Sequence, residues 1–166
     1  MYVSWYDSPV GRLLLTCTDR GLTGLYMNRK VSGREEHPIF QQTAAWLDAY
    51  FLGENPPLTV PLALEGTLFQ QTVWEILLRI PYGETRSYGS IAREAASKLG
   101  KEKMSAQAVG QAVGRNPVSI LVPCHRVVGS SGNLTGYAGG MDKKIWLLNH
   151  ESQQRMGETE NALCEI

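Results

Sequence analysis

Two kinds of hydrophobic spacing divide this chain of 166 residues. Within residues 2–28, apolar and polar residues alternate in short runs separated by turn-forming residues, and this pattern predicts β-strands. Over residues 39–52 the apolar positions recur every three or four residues instead, which predicts a helix. The apolar stripe of that helix consists of Phe40, Ala44, Leu47 and Phe51. Together the two patterns predict a small α/β unit over residues 1–65, in which no chemical motif stands out.

Helical spacing dominates residues 66–151. Thr67 and Gln70 form the sequence of a capping box at the start of the first helix there. Two further helices are predicted over 88–99 and 106–115, and the short Gly-containing break between them is typical of a helix-turn-helix. The serines at their predicted N-caps are Ser87 and Ser105.

Small residues distinguish the helix predicted over 106–115. They are Ala106, Ala108, Gly110, Ala112 and Gly114. A glycine inside a helix costs about 1 kcal/mol relative to alanine, so such a surface indicates that something approaches the backbone closely. Another helix and a nucleic-acid groove satisfy this requirement equally well.

The C-terminal end and the bulk composition are those of an ordinary globular protein. A last helix is predicted over 142–150, and the polar, acidic segment 152–166 is predicted to be a disordered tail. No apolar run approaches the roughly 20 residues of a membrane span. The N-terminal stretch Met1–Asp7 also lacks the pattern of a signal peptide. We therefore expect a cytoplasmic protein with no membrane partner.

Cysteine and histidine usage argues against a disulfide framework and against a metal site. The three cysteines are an odd and sparse set, no Cys-x-x-Cys occurs, and the three histidines are scattered. We therefore predict no metal site of this kind. Cys17 shares a strand face with Leu13 and Leu15, which predicts a place in the core.

Charge is distributed unevenly, although the net charge is zero. Residues 67–150 contain 10 basic and 5 acidic side chains, whereas the segments on either side are net acidic. A face that binds duplex nucleic acid needs local positive charge rather than a basic whole chain. The charge pattern fits such a face, and it fits a solvated basic surface as well.

The stretch from Val122 to Val128 is the strongest chemical candidate, because it sets Cys124 directly beside His125. A nearby imidazole lowers the cost of forming the reactive thiolate. Pro123 follows the apolar run 120–122, so we expect a strand-like segment that presents the cysteine on a rigid turn. The alternative is a buried structural cysteine next to a surface histidine, since neighbouring side chains of a strand point to opposite faces.

Motifs between residues 66 and 151 resemble those of the O6-alkylguanine-DNA alkyltransferases, also called methylated-DNA–protein-cysteine methyltransferases. The most specific are Pro123-Cys124-His125-Arg126 and Gly136-Tyr137-x-Gly139-Gly140 at this spacing. The other matching stretches are Gly66-Thr67-x-Phe69-Gln70, Ile80-Pro81-x-Gly83, Ser87-Tyr88, Ala108-Val109-Gly110, Asn116-Pro117 and Leu147-Leu148-x-x-Glu151. A less specific similarity, in Ser8-Pro9-x-Gly11 and Gly21-Leu22, extends toward the N-terminus.

The resemblance implies an α/β fold with two domains. Residues 1–65 would form a ribonuclease-H-like domain, and residues 66–151 a winged-helix-like domain that binds DNA and transfers the alkyl group. The partner would be double-stranded DNA containing O6-alkylguanine, bound by a monomer through its minor groove. The damaged base would be flipped into a pocket, as enzymes that act on a base atom require. Whether O4-alkylthymine is also a substrate stays open.

The resemblance also implies a role for individual residues. Cys124 would attack the alkyl carbon and keep the group as a thioether, so each molecule would act once, without cofactor or metal. His125 would accept the thiol proton through a water, Glu151 would hold the imidazole, and Tyr88 would donate toward N3 of the base. Asn116 would brace the turn that leads to the cysteine. Residues implied to bind the base are Val127, Tyr137, Ala138, Gly139 and Val113.

The implied DNA contacts lie on and beside the helix over 106–115. They are Ser105, Ala106, Gln107, Ala108, Gly110, Arg115 and Ser130. Many family members have an arginine where this chain has Gln107, and that arginine fills the space left by the flipped base. Because glutamine is neutral and shorter, we expect DNA affinity to depend less on this position here.

Two other functions compete with alkyl transfer. A lesion binder of the alkyltransferase-like group would share the fold but lack the nucleophile, so the presence of Cys124 argues against it. A cysteine hydrolase with a Cys-His pair would turn over a thioester or amide and would have no need for a helix-turn-helix. Stoichiometry separates these functions. The alkyltransferase accepts one alkyl group per protein, the lesion binder accepts none, and the hydrolase completes many catalytic cycles.

Overall fold

The structure is a computed structural model that describes residues 1–130, 132, 137 and 139–164, with residues 154–164 described by their helical backbone alone. Strands and helices follow one another in an order that separates an N-terminal sheet from a C-terminal set of helices. In chain order they are β1 (Tyr2–Ser8), β2 (Gly11–Thr18), β3 (Gly21–Tyr26), α1 (Pro38–Phe51), α2 (Leu68–Leu78), β4 (Arg86–Ser87), α3 (Tyr88–Lys98), α4 (Ala106–Gly114), a 3-10 helix (Cys124–Arg126), β5 (Val127–Val128) and α5 (Met141–Cys164).

An antiparallel sheet of order β1-β2-β3 forms the N-terminal unit. Alternation along β2 buries one face, on which Cys17 lies with Leu13 and Leu15, as the sequence predicts. Helix α1 buries Leu47 and Tyr50 against the rest of the core. The predicted strands within 2–28 and the predicted helix over 39–52 are therefore confirmed, and the mixed α/β class with them.

The helices of the C-terminal unit begin at the predicted caps. Thr67 and Gln70 complete both hydrogen bonds of a capping box at the start of α2. The side chains of Ser87 and Ser105 accept backbone hydrogen bonds at the starts of α3 and α4. Helices α2, α3 and α4 pack against one another, which confirms the predicted pair of helices joined by a short break.

Strand β3 joins the two units just ahead of the Cys-His motif. Leu25 donates its backbone N–H to the carbonyl of Pro117 at 2.8 Å and accepts a hydrogen bond from the N–H of Ser119 at 3.2 Å. On the same strand, Leu22 exchanges hydrogen bonds with the linker at Pro61 and Ala63. The N-terminal sheet therefore fixes the backbone of the segment that leads to Cys124.

The prediction of a strand-like segment before Cys124 is wrong. Residues 119–122 form tight turns, and Ile120 has a φ of 73°, in the left-handed region that a β-branched residue rarely adopts. Cys124 itself begins the 3-10 helix, and the first strand residues after it pair in parallel with β4. Apolar character alone could not reveal this, because the turns are held by a side chain from outside the run, that of Asn116.

Helix α5 is longer than the sequence predicts. It continues past His150 to Cys164 and so covers most of the segment 152–166 that was expected to be disordered. Good helix formers such as Gln, Glu, Met and Ala are frequent in that segment, which gives the backbone a local reason to stay helical. In the described part of the chain, no helix is both long and apolar enough to cross a membrane.

Candidate active site

A cavity of about 660 Å³ opens between the start of α3, helix α4 and the Cys124 segment. It brings together residues that are far apart in the sequence. Its lining is Tyr88, Ala106, Gln107, Gly110, Gln111, Val113, Gly114, Asn116, Ser119, Cys124 and Tyr137. Among the predicted site residues, Tyr88, Val113, Asn116 and Tyr137 thus share one cavity with the thiol.

The glycines of α4 line this cavity rather than a helix–helix contact. A Cβ built on Gly110 would lie 3.9 Å from the ring of Tyr88, which is ordinary van der Waals distance, and one built on Gly114 would meet nothing within 4 Å. By contrast, Ala112 faces inward, and its carbonyl accepts a hydrogen bond from the indole of Trp74. Gly110 and Gly114 are therefore not required for close packing between helices.

Asn116 holds the turns that lead to Cys124. Its amide nitrogen donates to the carbonyl of Val122 at 2.9 Å, and its amide oxygen accepts from the N–H of Val118 at 3.0 Å. Nearby Ile120 stays in its sparsely populated conformation, which costs on the order of 1–3 kcal/mol. The buried amide of Asn116 supplies the fixed hydrogen bonds that such a conformation needs.

The thiol of Cys124 is almost enclosed, with 5% of the residue exposed. Burial raises its pKa, and the polar side chains of Asn116, Tyr137 and Ser119 oppose this effect only in part. The resting form is therefore the thiol. A reaction that needs the thiolate must remove its proton inside the site.

His125 is also fully buried, so the alternative of a surface histidine is excluded. Its Nε2 donates to Oε2 of Glu151 at 2.6 Å, and this bond assigns the proton of the neutral ring to Nε2. Burial lowers the pKa of His125 against the opposing effect of Glu151. Within the described residues Nδ1 has no hydrogen-bond partner, which leaves it as an acceptor.

Glu151 accepts hydrogen bonds on both carboxylate oxygens. Oε2 accepts hydrogen bonds from Nε2 of His125, from Nη2 of Arg126 at 3.1 Å and from the hydroxyl of Tyr50 at 2.6 Å. Oε1 receives Nε of Arg126 at 2.8 Å and the backbone N–H of Gly83 at 3.1 Å. Burial alone would raise the pKa of Glu151, but the bonds from His125 and Arg126 outweigh it and hold that pKa below its usual range. The carboxylate therefore stays ionised.

Sequence reasoning missed three buried polar residues of this site. Arg126 is part of the motif that carries the resemblance, and this membership was a signal that could have identified it. A buried arginine needs a carboxylate partner. Lys144 is fully buried and donates to the carbonyl of Val127 at 2.7 Å. Tyr50 comes from the N-terminal unit, and nothing in its local sequence marks it.

The residues predicted to bind the base are placed unequally. Val127 is buried, and its carbonyl already accepts from Lys144, although a carbonyl has a second lone pair. Gly139 lies against Met27 of the N-terminal unit, and its carbonyl accepts from the amide of Asn28 at 2.7 Å. Ala138 lies outside the described residues.

The residues predicted to contact DNA lie at the surface around α4. Gln107 and Arg115 are exposed, and so is Ser130 beyond β5. Ser105, Ala106, Ala108 and Gly110 follow one another along the N-terminal half of α4, where only Ala108 and Gly110 are partly covered. Within the described residues, no group of three His, Cys, Asp or Glu side chains could hold a metal ion.

Two family models match the chain. The model of the 6-O-methylguanine DNA methyltransferase ribonuclease-like domain matches residues 1–64, and the model of the 6-O-methylguanine DNA methyltransferase DNA binding domain matches residues 68–153. The matches cover the sheet unit and the helical unit described above.

Similarity to known proteins covers almost the whole chain. A methylated-DNA–protein-cysteine methyltransferase of Mycobacterium leprae is 46% identical, with 89% of this chain and 90% of the relative covered. Its counterpart from Methanosarcina acetivorans is also 46% identical and covers 91% and 98%. The crystal structure of Mycobacterium tuberculosis OGT in complex with DNA superposes with a TM-score of 0.81 at 45% identity, covering 93% of this chain and 94% of that one.

Proposed function

The chain belongs to the 6-O-methylguanine DNA methyltransferase family, and from that premise we propose that Cys124 is the residue that accepts the alkyl group. The family's activity is DNA repair by direct reversal, in which a protein cysteine takes over the alkyl group. Two further cysteines exist, but Cys17 is in the core and Cys164 is at the end of α5. Cys124 has both a cavity in front of it and a buried His–Glu pair beside it, and this combination supports the assignment.

The reaction is an in-line displacement at the alkyl carbon. The sulfur of Cys124 forms the new S–C bond while the bond from that carbon to guanine O6 breaks. His125 takes the thiol proton on Nδ1 through a water, because its Nε2–H is already bonded to Glu151. Tyr88 donates a proton toward N3 of the leaving guanine, which neutralises its charge. The product is a thioether, and because its sulfur is a poor leaving group, each molecule reacts once.

DNA approaches the α4 side of the cavity in this proposal. Helix α4 enters the minor groove, whose width of about 6 Å suits its small residues, and the damaged base is flipped out. The base then occupies the cavity between Tyr88, Val113 and Tyr137, with carbonyls of Cys124 and Val127 facing its amine. In this proposal the protein acts as a monomer. A cytoplasmic location stays a prediction.

We expect Gly110→Leu to separate stability from repair. The added Cβ fits beside Tyr88, and the loss of a helical glycine raises the free energy of unfolding by about 0.5–1 kcal/mol. The rest of the leucine fills the entrance of the cavity, so repair of an O6-methylguanine duplex slows at least ~10-fold. Gly89→Leu on α3, outside the cavity, is the control, because its Cβ would meet only the end of the Arg93 side chain. Unchanged repair by the Gly110 variant would contradict this placement of the base.

We expect Gln107→Arg to tighten binding to a lesion duplex. Gln107 is exposed on the cavity rim, where an added guanidinium attracts phosphate and reaches further into the space left by the flipped base. The gain shrinks as salt concentration rises. A titration at two salt concentrations measures it, with Gln111→Arg on the same rim as the control. Equal gains at both positions would show a general charge effect, and no gain would refute the expected role of Gln107.

Transfer stoichiometry tests the proposed function against both alternatives. With excess O6-methylguanine duplex, the proposal predicts that alkyl uptake stops at one group per protein. A lesion binder would shift the duplex without uptake. A cysteine hydrolase would show repeated turnover of a thioester and no uptake from DNA. The buried pair of His125 and Glu151 by itself fits a hydrolase, whereas the open small-residue face of α4 favours alkyl transfer on DNA.

A further inference from the structure

Two consecutive residues of α5 bind the same tyrosine of the N-terminal unit. The hydroxyl of Tyr50 donates to Oε2 of Glu151 at 2.6 Å, and Nε2 of His150 donates to the backbone carbonyl of Tyr50 at 2.7 Å. Tyr50 is 1% exposed and lies near the end of α1. The carboxylate beside His125 is thus tied to an element outside the helical unit.

Aromatic rings hold Tyr50 in this position from several sides. The indole of Trp46, one turn earlier on α1, stacks on the phenol ring at 5.4 Å between centroids. His150 lies 5.3 Å away on α5, and Tyr82 lies 6.1 Å away in the turn that follows α2. A ring packed between three elements loses little freedom when its hydroxyl bonds to Glu151, so the bond is strongly directed.

The hydroxyl of Tyr50 and the imidazole of His125 share one acceptor atom, Oε2 of Glu151. Each donor on that oxygen stabilises the ionised form of the carboxylate. Burial and the neighbouring carboxylate raise the pKa of Tyr50 well above its usual value, so the phenol remains a donor across the working pH range. Its presence therefore lowers the proton affinity of the carboxylate that His125 faces.

We propose that Tyr50 is a positioning residue for the alkyl transfer, which fixes Oε2 of Glu151 against His125 and moderates the basicity of the imidazole. The inference rests on the proposed function, because it gives His125 the role of proton acceptor. The inference gives the N-terminal unit a part in the chemistry that acts through Glu151. Without α1, the carboxylate of Glu151 would lose one of its buried hydrogen-bond donors. The pair of His125 and Glu151 would also lose the packing that Tyr50 provides.

The other charged groups near His125 lie on elements other than α1 and are not themselves changed in a Tyr50 variant. Arg126 and Lys144 both lower the pKa of His125, whereas Glu151 raises it. Cys124 precedes the histidine on the same 3-10 helix, and the ring of Tyr82 faces the guanidinium of Arg126. A shift on changing Tyr50 therefore reports its bond to Glu151.

We expect Tyr50→Phe to move the acid limb of the pH–rate profile for Cys124 alkylation upward. Removal of the donor leaves Glu151 more basic, which stabilises the imidazolium, so His125 holds its proton to higher pH and the base is lost sooner on acidification. A shift of about one pH unit corresponds to ~10-fold slower transfer below the limb and little change on the plateau. The rate is followed by the mass of the alkylated protein.

Tyr6→Phe is the matched control. The Tyr6 hydroxyl donates to Oδ1 of Asp48, also on α1, at 2.5 Å, but that pair is exposed and does not touch Glu151. Like Tyr50→Phe, this variant removes one phenol oxygen from the N-terminal unit. We expect its pH–rate profile to have the same acid limb as that of the wild-type protein. 3-Fluorotyrosine at position 50 keeps the shape of the side chain and makes it a stronger donor, so the limb should move to lower pH. It decides the matter if Tyr50→Phe fails to fold.

The outcomes separate the inference from the proposed function. Opposite shifts with phenylalanine and 3-fluorotyrosine at position 50 support the inference. A wild-type limb in both, or a rate that falls equally at all pH values, overturns it and leaves Tyr50 a packing role alone. No alkylation of the wild-type protein, with Cys124→Ala as the blank, overturns the proposed function itself.

Discussion

Replacing Glu151 with glutamine is expected to slow alkyl transfer at least ~100-fold, the lower range for loss of general base catalysis. Glutamine keeps one acceptor oxygen but adds an NH₂ group where His125 and Arg126 also present N–H donors. The imidazole then loses both its orientation and the charge that stabilises its protonated form. The second-order rate constant on an O6-methylguanine duplex measures the effect.

The same substitution is expected to lower the free energy of unfolding by about 3–5 kcal/mol, because it leaves the buried guanidinium of Arg126 without its counter-charge. Because the pKa of Glu151 is depressed in the folded protein, its stabilisation is fully present above the unfolded value of about 4.3 and is lost as pH falls further. The stability difference between wild type and variant should therefore be constant near neutral pH and shrink below about pH 4. Denaturant unfolding at several pH values checks both statements.

Glu94→Gln is the matched control for that prediction. Glu94 also pairs with an arginine, Arg86, at 2.8 Å, but the pair is about one third exposed and does not touch the Cys124 cavity. We expect its loss to change stability by no more than about 1 kcal/mol and the rate not at all. If Glu151→Gln changed the rate as little as Glu94→Gln does, Glu151 would have no part in the chemistry.

Cys124→Ser is expected to abolish alkyl transfer while the protein still folds and binds the lesion duplex. Serine places a hydroxyl, a far weaker nucleophile, in nearly the same volume, and the polar side chains around the thiol can bond to it. A direct binding titration and a transfer assay on one preparation measure the two properties. Cys17→Ala is the control, since Cys17 is buried in the sheet and makes no contact with the cavity. Measurable transfer by Cys124→Ser would mean that another residue accepts the group.

Local structure was largely predictable from the sequence, because its causes are local. The side chains of Ser87 and Ser105 accept hydrogen bonds from backbone N–H groups only three residues away, and the alternation in β2 needs only its own residues. The turns before Cys124 were not predictable in this way. Hydrophobic character suggested a strand there, but the amide of Asn116 and two backbone bonds to Leu25 of β3 fix the path instead.

The residues of the candidate site also differ in how far they could be predicted from the sequence. The resemblance gave Cys124, His125 and Glu151, and the structure places the last two 2.6 Å apart although 26 positions separate them. It gave no hint of Tyr50, which reaches Glu151 across 101 positions. Contacts of this range depend on how α1 packs against α5, and no local pattern encodes that.

In the proposed mechanism, both units therefore contribute to alkyl transfer. The sheet unit fixes the path to Cys124 through β3, and the amide of Asn28, just after β3, holds the carbonyl of Gly139 near the cavity. The helical unit supplies the cavity and the exposed α4. The fold holds a buried thiol, a neutral imidazole and an ionised carboxylate next to one another without bound DNA.

The central claim, that Cys124 takes the alkyl group, is tested most directly by mass. Wild-type protein is incubated with excess duplex containing one O6-methylguanine, and its intact mass and its peptides are then measured. The account predicts a gain of one methyl group, on the peptide containing Cys124, that does not increase with more substrate. A methyl group on Cys17 or Cys164, or no gain while the duplex is bound, would contradict it.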